Sequence, residues 1–142
     1  VHRDFHVSNM MIYKNNIFLI DSQDAVYGNV AYDLASLIDD VRIKTTLNEK
    51  EKIFSKLIEK NKKINIEKLK NDFEILSVLR NLKIIGIFSR LSIRDKKNKY
   101  LKFIPYAWKL IKHRTKNNPN FYNLNLVLNK YFFHKIRAKH EN

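Results

Sequence analysis

Apolar residues recur at helical spacing through most of this chain, and that periodicity limits its fold more than any other feature. The first such run consists of Leu34, Leu37, Ile38 and Val41. Steps of three and four residues place side chains on one face of an α-helix. The pattern predicts one helix from Ala31 onward and four more, at about 48–61, 66–95, 99–115 and 120–138. The longest of them carries an apolar stripe made of Leu69, Phe73, Leu76, Leu79, Leu82 and Leu91.

The first thirty residues follow a different pattern. The short apolar runs MMIY and IFLID are separated by Lys14, Asn15 and Asn16. Because asparagine tolerates turn geometry, this arrangement predicts a β-hairpin. The predicted fold is therefore mainly α with a small β-hairpin. With only two glycines and two prolines there are few places for a linker, so residues 1–142 are predicted to form a single domain.

Charge is distributed unevenly along the chain. The formal net charge is +14, which is typical of nucleic-acid-binding proteins. However, lysine, asparagine and isoleucine, all encoded by A/T-rich codons, account for 55 of the 142 residues, so base composition alone can produce the lysine excess. Residues 1–40 hold six acids and two basic residues, a net charge of −4, and the remaining 102 residues carry +18. An acidic segment within a basic chain suggests cation binding in that segment, and a nucleic-acid partner is not expected.

The opening stretch, HRDFHVSN, combines residues that phosphoryl transfer requires. Asp4 and Asn9 are five apart, and Asp21 follows twelve residues later at the end of an apolar run. Phosphoryl transfer needs a carboxylate beside the attacking hydroxyl and oxygen ligands for magnesium. The eight residues also match every fixed position of H-R-D-x-x-x-x-N, the catalytic loop of protein kinases. Taken singly, each of the three residues could instead be a turn or strand-end residue.

The residues after Asp21 do not continue the protein kinase pattern. Ser22 and Gln23 stand where D-F-G would require phenylalanine and glycine. Only eleven residues separate Asp21 from Asp33, where the next predicted helix is already under way. No activation segment of the usual kind fits between them. The chain therefore lacks the segment on which a protein kinase usually binds its peptide substrate. The predicted acceptor is therefore a small molecule.

The stretch HRDFHVSNMMIY…IFLIDSQDAVYGNVAYDLASLIDD resembles the aminoglycoside phosphotransferase and choline kinase-like superfamily. Within it, the stretch is most similar to bacterial anomeric sugar kinases acting on N-acetylmuramate and N-acetylglucosamine. The later stretch LRNLKIIGIFSRLSIRDKKNKYLKFIPYAWKLI resembles the same subgroup, so the similarity spans most of residues 1–112. One departure is Ser22, which stands where a large aromatic or apolar residue is common.

The resemblance implies the C-terminal lobe of a protein-kinase-like fold, which would transfer the γ-phosphate of ATP, or GTP, to a hydroxyl of a sugar or amino sugar. It implies Asp4 as the catalytic base. It also implies Mg²⁺ as a cofactor, with Asn9 and Asp21 as its ligands. His2 and Asp33 would support the catalytic loop by hydrogen bonds. The alternative for Asp33 is an ordinary acidic residue at a helix N-terminus.

Two further residues are candidate substrate contacts. Asp24 is expected either to contact the substrate or metal-bound water, or to cap the turn before Gly28. Arg80 begins the family-like RNLK and is expected to face the sugar or the phosphates; the alternative is a solvated helix face, which we expect for the other basic residues of that helix. Gly86, inside the same helix, predicts a close approach of another helix.

A kinase also needs a strand lysine and a glycine-rich or equivalent loop over the phosphates. Neither is recognisable, and the two glycines lie 58 residues apart, at Gly28 and Gly86. We therefore expect the N-terminal nucleotide-binding lobe to be absent from this chain, and the chain to be inactive alone. No nucleotide-binding residue is identified beyond the metal ligands.

Two other functions stay open at this point. A degenerate kinase lobe could act as a binding module, and a basic helical protein could bind nucleic acid, although the second leaves the motif unexplained. No run of eighteen apolar residues occurs, so no membrane partner is expected. The expected partners are a small-molecule sugar and the N-terminal lobe, and the expected location is the cytoplasm.

Overall fold

The computed structural model describes residues 1–60 and 65–132. It is mainly helical with one two-stranded antiparallel sheet, which confirms the predicted mixture of helices and a small hairpin. In chain order the elements are β1 (Met10–Tyr13), β2 (Asn16–Leu19), α1 (Ala31–Ile38), α2 (Leu47–Lys60), α3 (Ile66–Asp95), α4 (Ile104–Thr115) and α5 (Tyr122–Tyr131). Short 3₁₀ turns lie at Val7–Asn9, Asn98–Phe103 and Pro119–Phe121.

The hairpin is closed by a two-residue turn. Met10 pairs with Leu19, and the register runs to the pair of Tyr13 and Asn16. The two turn residues, Lys14 and Asn15, have φ angles of 46° and 63°. Positive φ at both central residues is the geometry of the type I′ turn, whose twist matches that of the flanking strands. Asparagine adopts this conformation readily, which is why the sequence indicated a turn here.

Capping residues fix the helix ends. Thr46 and Glu49 form a capping box before α2: the Glu49 carboxylate accepts from the Thr46 backbone N–H at 2.7 Å, and Thr46 Oγ1 accepts from Glu49 N–H at 3.2 Å. At the end of α3, Lys96 has a φ of 56° and the Lys97 N–H donates to the Leu91 carbonyl. The left-handed residue and the bond that follows it end the helix.

Two predicted helix starts lie too early in the sequence. The helix predicted at about 99 begins at Ile104, because Asn98–Phe103 is a 3₁₀ turn with the same three-residue periodicity. Pro105 then lies in the first helical turn, where its missing N–H costs nothing. The last helix begins at Tyr122 rather than at 120, and the predicted part beyond 132 lies outside the described residues.

The chain divides into two compact units, Val1–Leu76 and Ser77–Asn142, with the boundary inside α3. The core of the first unit joins α1, α2 and the start of α3. Phe54 of α2 and Phe73 of α3 pack with their ring centroids 4.6 Å apart. The buried residues of this cluster are Ala31, Ala35, Ile38, Phe54, Leu69 and Phe73. This core fixes α1, the helix that follows the acidic opening segment.

In the second unit, the buried apolar residues of the described part come mainly from α4. They are Ile104, Ala107, Trp108, Leu110 and Ile111, together with Val78, Phe121 and Leu128. Trp108 packs against Phe132 with a centroid distance of 5.3 Å. Trp108 is therefore a core residue of this unit.

The predicted stripe on α3 is only partly correct. Leu69 and Phe73 are buried, but Leu79 is 53% exposed, while Ser77, Val78 and Asn81 are buried instead. The buried face turns away from the leucine row along this long helix. The close approach predicted at Gly86 is also wrong, because an added Cβ would meet no heavy atom of the described residues within 4 Å. No helix in the described ranges is long and apolar enough to span a membrane.

Candidate active site

The loop that carries the motif is fastened to the start of α1 by one carboxylate. Asp33 accepts the His2 backbone N–H at 2.7 Å and the Arg3 backbone N–H at 3.0 Å, one at each oxygen. Arg3 has a φ of 72°, a left-handed conformation that costs free energy for any residue with a Cβ. Two charge-assisted hydrogen bonds to the loop help to hold it in this conformation. These are the contacts that a bracing aspartate would make.

His2 joins the same loop to the end of the hairpin. Its Nε2 lies 3.1 Å from the backbone oxygen of Ile20. The chain start is also tied to the segment after the hairpin, because Val26 N–H donates to the Val1 carbonyl at 3.0 Å. The motif loop is thus held by α1 on one side and by the 20–26 segment on the other.

Asp4 and Asn9 are linked within the loop. The Asn9 side-chain amide donates to the Asp4 backbone oxygen at 3.0 Å. The His6 N–H donates to that same carbonyl at 2.9 Å, and the Asn9 N–H donates to the His6 carbonyl at 2.9 Å. Asp4 is exposed and Asn9 is half-buried. Since Asn9 Nδ2 is used inside the loop, its Oδ1 is the atom of the amide left for an external ligand.

Asp21 lies next to this loop through the backbone pairing of the hairpin. The Ile20 N–H donates to the Asn9 carbonyl at 3.0 Å, which extends the ladder one step beyond the Met10–Leu19 pair. Asp21 itself has a φ of 68° and is exposed. Its Oδ1 accepts from Gln23 Nε2 at 2.7 Å, and the second oxygen remains as a donor atom for a cation. The structure therefore links Asn9 to the backbone of Asp4 on one side and to the residue before Asp21 on the other.

The donor atoms in this region suit magnesium. Within residues 1–60 and 65–132, no three histidine, cysteine, aspartate or glutamate side chains gather as a metal site. Mg²⁺ in phosphoryl-transfer sites is typically held by one or two carboxylates, substrate phosphates and water. One amide oxygen and one carboxylate, from Asn9 and Asp21, match that donor set.

The two predicted substrate contacts, Asp24 and Arg80, lie in different units. Asp24 is exposed in the turn in which the Ala25 N–H donates to the Ser22 carbonyl. Arg80 lies in the second unit, on α3, and is 7% exposed. A substrate role for either residue stays a prediction.

Sequence reasoning missed a charged cluster beside the motif loop. Asp40 accepts from Arg42 at both carboxylate oxygens, with distances of 2.8 and 2.9 Å, and Arg42 Nη1 lies 3.5 Å from His6 Nε2. A second missed contact is that of Asn29, which donates to Asp72 of α3 at 2.7 Å and accepts from Ala31 N–H at the start of α1. The available signal for the first was an arginine two residues after an acid at a helix end.

Comparison with known proteins identifies relatives of this chain. Residues 1–55 match the phosphotransferase enzyme family, APH. The chain is 39% identical over 114 residues to the N-acetylmuramate/N-acetylglucosamine kinase of Neisseria meningitidis serogroup B, covering 74% of this chain and 33% of that protein. It is 33% identical over 111 residues to the protein of the same name from Pseudomonas putida, covering 74% of this chain and 33% of that protein.

A third relative, the N-acetylmuramate/N-acetylglucosamine kinase of Pseudomonas aeruginosa, is 28% identical over 134 residues, which cover 90% of this chain and 40% of that protein. The chain thus spans about a third of the length of the curated relatives that it matches. These matches confirm the resemblance found in the sequence: the chain is related to the phosphotransferase enzyme family and to bacterial N-acetylmuramate/N-acetylglucosamine kinases.

Proposed function

We propose that this chain is the catalytic lobe of a small-molecule kinase, which transfers the γ-phosphate of ATP, or GTP, to a hydroxyl of an amino sugar. The observation that carries the proposal is the hydrogen-bonded loop that connects Asp4, Asn9 and the residue before Asp21. The likeness to proteins named N-acetylmuramate/N-acetylglucosamine kinases supports the class of acceptor. It also supports a kinase-like fold for the region that carries the loop.

In the proposed mechanism, Asp4 is the base. It is the exposed carboxylate of the motif loop, so its oxygens can accept a hydrogen bond from the attacking hydroxyl, orient it and take its proton. The backbone of Asp4 is held from two sides, by the Asn9 amide and by the His6 N–H. Holding the base in one place contributes to rate because the reacting atoms are already oriented.

Asn9 and Asp21 would hold magnesium through the oxygens that the loop leaves available. When bound, Mg²⁺ neutralises charge on the phosphates as the phosphoryl group moves. Asp33 and His2 would have a supporting role, since they fix the loop backbone through hydrogen bonds. Asp24 and Arg80 are the proposed contacts to the acceptor.

We also propose that turnover requires a nucleotide-binding lobe that joins this one at the hairpin. The chain covers about a third of its relatives, and it has two glycines in total, too few and too far apart for a glycine-rich loop. Both faces of the hairpin carry exposed apolar side chains, among them Ile12 at 79% exposure, Ile17 and Phe18. Exposed apolar patches of this kind are typical of surfaces that another folded element covers.

The test uses Asp4→Asn in a form of the protein that includes a nucleotide-binding lobe. The amide cannot accept a proton from the acceptor, so kcat for N-acetylglucosamine should fall by about 100- to 10,000-fold, the usual contribution of general base catalysis. Asp95→Asn is the matched control, because this carboxylate pairs with its neighbour Arg94 and is not part of the motif loop. It should leave kcat unchanged.

Wild-type turnover by Asp4→Asn would remove Asp4 from the role of base. A wild-type protein that phosphorylates no amino sugar, sugar or choline would instead favour the alternative of a kinase-like lobe that acts as a binding module.

A further inference from the structure

Arg42 presents a guanidinium group in a fixed orientation beside the motif loop. Asp40 accepts two hydrogen bonds from it, from Nε at 2.8 Å and from Nη2 at 2.9 Å, and a third from the Arg42 backbone N–H at 2.9 Å. The Asp40 side chain is 3% exposed, whereas that of Arg42 is 33% exposed. A buried carboxylate therefore anchors one edge of a guanidinium whose remainder reaches solvent.

The unused edge of this guanidinium lies toward the proposed catalytic loop. Asp40 occupies the edge formed by Nε and Nη2, which leaves the edge formed by Nη1 and the second hydrogen of Nη2. Nη1 is the atom 3.5 Å from His6 Nε2. His6 is two residues from Asp4, so their Cα atoms are no more than about 7 Å apart. The free edge thus lies beside a residue of the same loop, two positions from the proposed base.

A pre-oriented guanidinium edge is a binding site for a carboxylate or a phosphate, because its two parallel N–H groups match two oxygens. Resting on the proposed function, we propose that Arg42, with His6 beside it, binds the lactyl carboxylate of N-acetylmuramate. N-acetylglucosamine has the same ring without that carboxylate. Arg42 is then the residue by which this kinase distinguishes an anionic amino sugar from a neutral one.

The alternative ligand for the same edge is a phosphate of the nucleotide. The two can be separated because every acceptor requires the nucleotide, whereas only N-acetylmuramate carries the carboxylate. Loss of a phosphate contact would lower kcat/KM for both sugars by the same factor. Loss of a carboxylate contact would lower it for one.

The experiment measures kcat/KM for both sugars with Arg42→Gln and with a matched control, in a form of the protein that includes a nucleotide-binding lobe. Arg42→Gln should reduce the N-acetylmuramate to N-acetylglucosamine ratio by about 10- to 100-fold, the range for a hydrogen-bonded charged pair. Arg94→Gln is the control, because Arg94 also pairs with a neighbouring aspartate through Nε and Nη2, but at the end of α3. It should leave the ratio unchanged.

A second measurement uses the wild-type protein alone, so it does not depend on whether a variant folds. The wild-type protein is assayed with N-acetylmuramate and with its methyl ester, which keeps the lactyl group but not its charge. The ester should lose the same factor of about 10- to 100-fold. Arg42→Lys keeps the positive charge but not the two parallel N–H groups, so it should give an intermediate ratio of N-acetylmuramate to N-acetylglucosamine kcat/KM.

The outcomes separate the two proposals. Suppose the wild-type protein phosphorylates both sugars. If Arg42→Gln then leaves the ratio of their kcat/KM values unchanged, or if the ester is as good a substrate as the acid, the proposed carboxylate subsite is wrong but the proposed kinase function is not. If the wild-type protein phosphorylates neither sugar, the proposed function fails and the subsite with it.

Discussion

The strongest test of the packing around α1 is the removal of Lys50, a buried lysine. Its side chain is 1% exposed, and its ammonium group donates to the Ile38 carbonyl at the end of α1. The Asp39 carboxylate, which is fully buried, lies 3.6 Å away. Because α1 carries Asp33 and leads directly into Asp40 and Arg42, this pair holds the helix on which both proposals depend.

Lys50→Met removes the cation and keeps a similar apolar volume. The Ile38 carbonyl is one of the last four of α1, which lack a partner within the helix, so the substitution leaves it without the lysine donor at a cost of about 1–3 kcal/mol. Asp39 loses its ion pair with Lys50 while still buried. Breaking a buried ion pair in this way costs about 3–5 kcal/mol in all. That is a large part of the ~5–15 kcal/mol that a small domain has.

Urea denaturation followed by circular dichroism measures this loss. With a slope of about 1–3 kcal/mol per molar urea, a 3 kcal/mol loss lowers the midpoint by at least about 1 M. Lys56→Met, on an exposed position of the same helix, is the control and should change stability by no more than about 0.5 kcal/mol. Equal midpoints for the two variants would refute the reasoning. Combining Lys50→Met with Asp39→Asn should cost less than the sum of the single changes, because the two residues interact.

Two further predictions concern helix geometry. Gly86→Ala should raise stability by about 0.5–1 kcal/mol, because Gly86 is exposed inside α3 and an added Cβ meets no heavy atom of the described residues within 4 Å; a lower urea midpoint would contradict this. The hydrogen bond from the Thr46 backbone lowers the pKa of Glu49. The ionised Glu49 carboxylate therefore stabilises the fold at neutral pH, and this stabilisation is lost as the pH falls through the lowered folded-state pKa. On acidification, the melting temperature of Glu49→Gln should therefore fall less than that of the wild-type protein. Parallel curves of melting temperature against pH for the two proteins would contradict this prediction.

Helices whose ends are capped were the most predictable part of the fold. The sequence predicted a helix at about 66–95, and the structure has α3 at Ile66–Asp95. Asn65 accepts the Lys68 N–H at its start, and Lys96 adopts the left-handed conformation at its end. These are local interactions, so they are encoded within a few residues. The apolar face of α3 was less predictable, since which side is buried depends on tertiary packing.

The same distinction applies to the candidate site. Asp4, Asn9 and Asp21 were predicted because their spacing is a property of one short segment. Arg42 was missed because its contact with His6 joins residues 36 apart, and nothing in their local sequence indicates that the chain returns there. Motifs expose the chemistry carried by one loop, whereas side chains brought to that loop by the fold become visible only in the structure.

Asn9 shows why an amide suits this position better than a carboxylate. Its Nδ2 donates to the Asp4 carbonyl, and its own backbone carbonyl accepts from Ile20. An aspartate could offer oxygens to a metal, but it has no hydrogen to donate, so two acceptors would face each other beside Asp4. The amide supplies both a donor to the loop and an oxygen for a cation. The residue proposed to bind the metal is therefore also the one that fixes the backbone of the proposed base, and a substitution that affects one role affects the other.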